Sequence, residues 1–327
     1  MSKIVCPYCG YDFRLDPREA VVTCPSCGTS FTRSGEVIEE HLMGRVNYSI
    51  QDILEVFKEW ALRKPETPDD LPLFFRLKDY KLVFYPFWVY SGNIVVNYTG
   101  HVKDIKGRYG TKLIEISGKE EESVETAIPA SSYLHTGILD DFVFNVRGKV
   151  YFSNSYVRKY GGRILNSEIT KDEAEKRAWS KVLNKIRERL SLRDISNIMF
   201  TNISGKLEGP LYVHEPFYII RYLYRGREFT FIADASDSRI IHAYIPVGKV
   251  FRMLALAAGL ATLGMALGLG LIGLILDLEI FAISSFLAFG ILGLFILSKG
   301  IRGVIRTGES KPISEKEAYE FLSKVAF

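Results

Sequence analysis

The sequence predicts an α+β protein in three parts: a cysteine-built N-terminal module, an antiparallel α+β region and a C-terminal hairpin of two transmembrane helices. Three observations predict it. All four cysteines sit in two CPxCG knuckles at the start of the chain, Cys6-Pro7-Tyr8-Cys9-Gly10 and Cys24-Pro25-Ser26-Cys27-Gly28. The middle of the chain alternates helical periodicity with short aromatic and β-branched runs. Near the end, Met253 to Leu276 and Ile280 to Ser298 hold no charged residue, and only Asp277, Leu278 and Glu279 separate them. At about 1.5 Å per helical residue these runs reach roughly 36 and 28 Å, against a hydrocarbon core of about 30 Å.

The knuckles come first. Two thiolates two residues apart, on a turn that the following glycine lets close, can aim at one ion, and two such turns supply four tetrahedral sulfurs. Cys6, Cys9, Cys24 and Cys27 are therefore the expected ligands of one structural zinc ion, and residues 1–32 are similar to the zinc-ribbon modules of transcription and replication proteins. Iron is the competing metal, since rubredoxins use similar knuckles; the gap between Cys9 and Cys24 is short for that arrangement. Disulfides compete only outside a reducing compartment. The opening residues do not read as a secretory signal. Four thiolates fill a coordination sphere, so the expected ion holds a fold and does not activate water. Lys3, Arg14 and Arg18 balance Asp12, Asp16 and Glu19 in the ribbon. Nucleic-acid affinity is largely phosphate neutralisation, so a neutral module favours a protein partner.

Residues 33–47 read as a linker or a last ribbon hairpin. A helix is predicted from Ser49, with Ser49 and Asp52 as a capping box, Ile50, Ile53, Leu54, Phe57 and Ala61 on one face, and Pro65 as its stop. From Lys81 the period changes to that of strands. Tyr85 to Tyr90 and Ile94 to Tyr98 are predicted as two strands joined by a tight turn at Gly92, followed by strands at Lys112 to Ile116, Phe142 to Val146 and Val150 to Phe152. Thr170 and Glu173 open a second helix from Lys171 to Leu190. Three strands, Leu211 to Tyr224, Glu228 to Ala233 and Arg239 to Ile245, close the antiparallel α+β region, residues 48–250. Pro86-Phe87-Trp88-Val89 and Pro216-Phe217-Tyr218-Ile219 echo each other, which suggests two related halves, 48–165 and 166–250.

A CPxCG ribbon, Phe57-Lys58-Glu59-Trp60 on a helix, Tyr85-Pro86-Phe87-Trp88 and the late Pro216-Phe217-Tyr218 together resemble the zinc-ribbon membrane proteins of bacteria and archaea often labelled primosomal protein N-prime-like. The resemblance covers about residues 1 to 250. It implies the architecture; the helicase activity in the label is not implied, because the chain has no GxxxxGK[ST] phosphate loop.

The spans are expected at residues 251–298, with 299–327 as a tail carrying an amphipathic helix from Ser314. Lys249 and Arg252 precede the spans, and Lys299, Arg302, Arg306 and Lys311 follow them. Basic flanks stay cytosolic, so both termini and the globular region are expected in the cytosol, at the plasma membrane. Neither span holds an ionisable residue, which argues against a proton or ion path. Gly264 and Gly268 have GxxxG spacing, suited to packing of the two spans or of a homodimer.

Catalytic signatures are few. HExxH, GxSxG and a dinucleotide loop are missing, and the histidines are scattered. His214, Glu215 and Asp234 border the second aromatic strand and are the weak candidates. Tyr85, Phe87, Trp88, Phe217, Tyr218 and Tyr222 could line a ligand groove or form the sheet's own core. The net charge of +4 is small and spread along the chain. The expectation is a non-enzymatic adaptor at the lipid bilayer that binds a protein partner. A membrane tether for nucleic acid is the second expectation, and a membrane-associated hydrolase or transport accessory subunit the third.

Overall fold

In a computed structural model of the chain, residues 2–104, 112–134, 136–140, 142, 148–301 and 304–308 are described. They form a mixed α+β protein with antiparallel sheets, two long apolar helices near the C-terminus, and the four cysteines gathered in one place.

The N-terminal module is two hairpins. β1 (Ser2–Val5) pairs with β2 (Asp12–Leu15) across the first knuckle, and β3 (Val21–Thr23) with β4 (Ser30–Thr32) across the second. Its small core is Cys6, Leu15, Val22, Cys24 and Phe31. The chain then turns back through Gly35, so that Ile38 N–H donates to Ser30 O at 2.8 Å, and β5 (His41–Met43) joins the main sheet alongside Tyr212 to His214. Residues 33–47 are thus no linker: their backbone is spent on a last ribbon turn and on a sheet strand.

α1 (Ile50–Leu62) begins at the predicted capping box, with Asp52 N–H donating to Ser49 Oγ and Ser49 N–H to Asp52 Oδ2. Ile53, Phe57 and Ala61 face the sheet, and Phe57 stacks on Phe231 at 3.8 Å. After the one-turn α2 (Leu71–Phe74) comes β6 (Phe75–Asp104), then β7 (Lys112–Pro129), α3 (Thr136–Leu139), β8 (Val150–Tyr151), α4 (Asn154–Lys159) and β9 (Arg163–Ile164). α5 (Lys171–Ser191) is capped by Thr170, whose Oγ1 accepts from Glu173 N–H. β10 (Ser196–Gly205), β11 (Glu208–Tyr224), β12 (Arg227–Asp234) and β13 (Ile240–Pro246) complete the sheet before α6 (Lys249–Ile275), α7 (Glu279–Ile301) and β14 (Val304–Gly308).

β6 is the spine. It pairs antiparallel with β11 over its first half, with β10 and β7 over its second, and the order continues β11, β12, β13, β14. It runs straight through Gly92, where a tight turn was expected. The glycine is needed because a Cβ there would stand 2.3 Å from the Lys206 carbonyl oxygen, so its role is close approach by the neighbouring backbone. The two aromatic motifs pair with each other in one sheet, Pro86 opposite His214 and Pro216 opposite Phe84. Of the expected strand Phe142 to Val146, Phe142 lies outside any strand, and residues 143–146 fall outside the described residues.

Over residues 82–90 both faces of β6 are buried. Tyr85, Phe87 and Val89 enter one core cluster, where Phe87 packs on Phe142, whereas Trp88, Tyr90, Ile94 and Val96 share the other with Ala174, Ala178, Val182 and Ile186 of α5.

α6 and α7 are each long and apolar enough to cross a membrane. They leave and re-enter the sheet as extensions of the paired strands β13 and β14, with Pro246 opposite Val304. The helices approach at small residues. A Cβ on Gly259 would stand 2.6 Å from Leu297 Cγ, one on Gly273 2.9 Å from Ala282 Cα, and one on Gly293 2.9 Å from Leu263 Cγ. Gly264 and Gly268 meet nothing within 4 Å, so the expected GxxxG pair lies off the seam between the helices. Gly259, Ala266 and Gly273, all buried, make the seam at a spacing of about seven residues, the repeat of long antiparallel helix contacts. The amphipathic helix expected from Ser314 lies outside the described residues.

Candidate metal centre

The two knuckles close by the same hydrogen bonds. Cys6 N–H donates to Tyr11 O and Gly10 N–H to Cys6 O; Cys24 N–H donates to Thr29 O and Gly28 N–H to Cys24 O. Gly10 and Gly28 take φ of +73° and +84°, a conformation that glycine adopts without strain. The result places all four Sγ atoms within 4.8 Å of one another, with Cys6–Cys27 and Cys9–Cys24 at 3.7 Å. A tetrahedron with metal–sulfur bonds of about 2.3 Å has sulfurs about 3.8 Å apart, so the donor set fits an ion, while a disulfide needs about 2.05 Å. The cysteines could hold a metal ion.

Burial pushes the Cys6 thiol up and Cys24 up to about 12. Burial also raises Cys27, but hydrogen bonds with Thr29 and the neighbouring sulfurs draw it down to about 6. Backbone N–H groups of Tyr8 and Cys9 favour the Cys6 thiolate, and those of Ser26 and Cys27 the Cys24 thiolate. Such donors aim at sulfur in the charged form that a metal requires.

The module is docked, and by its second knuckle. Asn154 Nδ2 donates to Cys24 O at 2.8 Å, Thr23 N–H to Asn166 Oδ1 at 2.9 Å, Arg158 to Pro25 O, and Val21 exchanges backbone bonds with Ser167. The first knuckle projects outward. Tyr8 is 77% exposed, and Tyr11 and Val5 are exposed beside it, whereas Phe31 is in the module's core.

A buried polar chain runs inward from this docking. Thr23 Oγ1 lies 2.7 Å from Ser30 Oγ, Ser30 Oγ 3.1 Å from His41 Nδ1, His41 Nε2 2.7 Å from His214 Nδ1, and His214 Nε2 2.8 Å from Leu165 O. Burial holds the His214 imidazole down to about 4. His41 is also lowered by burial, then by the nearby His214 ring, against an opposing effect of the Gly28 carbonyl. Both rings are therefore neutral.

On the other face of β11, Glu215 receives Lys149 Nζ at 2.7 and 2.5 Å and Ser236 Oγ at 2.6 Å. Ser236 Oγ is also 2.7 Å from Asp234 Oδ1. One hydroxyl faces two carboxyl groups, and burial, with Glu215 and Asp237 adding to it, raises the Asp234 carboxyl to about 7. Arg239 Nη2 stands 3.8 Å from Asp234 Oδ2.

The weak candidates His214, Glu215 and Asp234 are thus brought near one another but sealed from solvent, with Glu215 and Asp234 sharing Ser236 and His214 facing away. Tyr85, Phe87, Phe217, Tyr218 and Tyr222 are buried in one core cluster and Trp88 in the other, so among the described residues the six serve as packing and line no open groove. The sheet's alternation consumes them as packing. Two surface cavities, of about 710 Å³ beside α5 and about 300 Å³ where the module meets the sheet, have none of these residues in their walls. His41, Ser30 and Lys149 were not singled out by the sequence. No local spacing could reveal them, because their partners come from distant strands. Compared with known proteins, the chain matches no family model, no curated protein and no solved structure.

Proposed function

We propose that Cys6, Cys9, Cys24 and Cys27 hold one structural zinc ion as a zinc ribbon. We further infer that the protein is a multi-pass plasma-membrane protein with its termini and globular region in the cytosol, and that it acts as a non-enzymatic adaptor for a protein partner. The proposal also places it with the zinc-ribbon membrane proteins of bacteria and archaea that it resembles.

One continuity supports this most. The cysteine module is fixed to the sheet through Asn154 and Asn166, and that sheet passes directly into the two apolar helices through β13 and β14. A module held in one orientation to a bilayer, presenting Tyr8 and Tyr11 on its free knuckle, suits recognition at a membrane surface. Four sulfurs at tetrahedral spacing support zinc, and thiolates of this kind persist in a reducing compartment. The basic residues at both ends of the helical hairpin support the cytosolic orientation.

A photo-crosslinking residue at Tyr8 in cells tests the adaptor. The expected product is one defined protein adduct, missing when the same residue replaces Leu192 on the remote end of α5 and lost in Cys9→Ser. Recovery of the uncrosslinked chain alone from the Tyr8 position overturns the adaptor.

A further inference from the structure

The end of the sheet from which α6 departs carries an exposed apolar surface. The loop after α1 reaches that end: Gly248 N–H donates to Glu66 O at 2.8 Å, and a Cβ on Gly248 would stand 3.3 Å from Pro68 Cα. α2 follows at once. Its Leu71 is buried, but Leu73 is 82% exposed and Phe74 is exposed beside it. The β11–β12 turn lies against this helix, with the Arg225 guanidinium 4.5 Å over the Phe74 ring and paired with Asp70. Val250 and Met253, exposed on the first turns of α6, carry the apolar surface onto the membrane helix. Arg63, Lys64, Arg227 and Lys249 stand in the same segments as Glu66, Asp69, Asp70 and Glu228.

We propose that Leu73 and Phe74 enter the headgroup layer of the bilayer that takes α6 and α7, a third and monotopic membrane contact. The inference rests on α6 and α7 crossing that bilayer. The occupant is a phospholipid surface, because Gly248, which caps α6, is bonded to Glu66 and packed on Pro68 a few residues before α2, so a bilayer that receives the helix at Met253 lies close to α2. Lys249, on the first turn of α6, can lay its stem along apolar surface while its ammonium reaches phosphate. A water-facing turn gains nothing from an extended Leu-Phe pair, whereas an interfacial one buries it. With α2 on the surface, the sheet is held at three points and cannot swing about the helices. The docked cysteine module then stands at a fixed distance from the lipid.

Tryptophan fluorescence of the full chain in phosphatidylcholine–phosphatidylglycerol vesicles, with and without bromine on the acyl chains, tests the contact. Leu73→Trp and Phe74→Trp are expected to add blue-shifted emission, most of which brominated chains remove. Leu192→Trp, at an 87% exposed site on α5, serves as the comparison and should add red-shifted emission that they leave untouched. Red-shifted, unquenched emission from positions 73 and 74, in protein that stays in the vesicles through an alkaline wash, overturns the proposal alone. Release of the protein by that wash overturns the membrane-spanning reading and this contact with it.

Discussion

His41 Nε2 lies 2.7 Å from His214 Nδ1, deep in the protein and between residues 173 positions apart. The direction of every hydrogen bond in their chain follows from its far end. The Leu165 carbonyl can only accept, so His214 carries its proton on Nε2 and offers a bare Nδ1. His41 then donates from Nε2, accepts at Nδ1 from Ser30, and Ser30 accepts from Thr23. The pair ties the sheet to the strands that hold the second knuckle.

Acid should therefore loosen this protein. Both histidines are lowered in the folded state from an ordinary 6.5, His214 to about 4. The unfolded chain binds the extra protons, so stability is full above about pH 6.5 and is lost as the pH falls toward 4, by about 1.4 kcal/mol per unit for each histidine. Denaturant unfolding in detergent between pH 7.5 and 5 should show this slope. His214→Leu should flatten it while lowering stability at pH 7.5 by about 1–3 kcal/mol, because His41 N–H and the Leu165 carbonyl lose their partners. An unchanged slope would refute the buried pair.

Removing the metal should unfold the module and weaken its docking. The module's core is five residues, two of them ligands, too few to hold its hairpins without an ion. Chelation, or Cys24→Ser, is expected to abolish binding of about one zinc per chain and to open Asn154 and Ser167 amides to hydrogen exchange. Cobalt substitution should give the intense visible bands of a tetrahedral thiolate site. Retained protection at Ser167 after metal loss would show that the docking is independent of the ion.

Glu215 is fully buried and depends on Lys149, itself only 7% exposed. Lys149→Met should cost about 3–5 kcal/mol, since it leaves a carboxylate without its cation, and Lys149→Met with Glu215→Leu should recover much of that loss. Burial already raises the Glu215 carboxyl, and without Lys149 it rises further. The variant's folded state then holds a proton that the unfolded state releases above about pH 4.5, so its deficit against the wild type should shrink as the pH is lowered. A deficit that is constant from pH 7.5 to 5 would contradict the pairing.

What the sequence makes legible is what is local. The knuckles, the Ser49–Asp52 box and the apolar runs each declare themselves within a few residues, because a turn, a cap and a span are decided by neighbours in the chain. Gly92 could not be read correctly, since its reason is the carbonyl of Lys206, in the distant connection between β10 and β11. The aromatic residues around Phe87 and Phe217 were recognisable as strand residues. Whether such rings face a groove or a cover depends on what lies above the sheet, and here Phe142 packs on Phe87 and Phe217 while α5 packs on the face that carries Trp88. His41 and Lys149 sit in plain segments and take their meaning only from β11.

The glycines of the two apolar helices separate by the same logic. At Gly259 a new methyl would press on the Leu297 backbone nitrogen at 2.9 Å, and at Gly273 on that of Ala282 at 3.0 Å; backbone cannot move aside as a side chain can. Gly259→Ala and Gly273→Ala should each force α6 from α7 and cost about 1–3 kcal/mol, the usual penalty of overpacking. Gly264→Ala and Gly268→Ala meet open space and should be neutral or slightly stabilising, since alanine is the better helix former. Thermal unfolding of the four variants in one detergent distinguishes the faces. If Gly264→Ala proves as damaging as Gly259→Ala, then that face is also packed, and the seam described between the helices is not the only close contact they make.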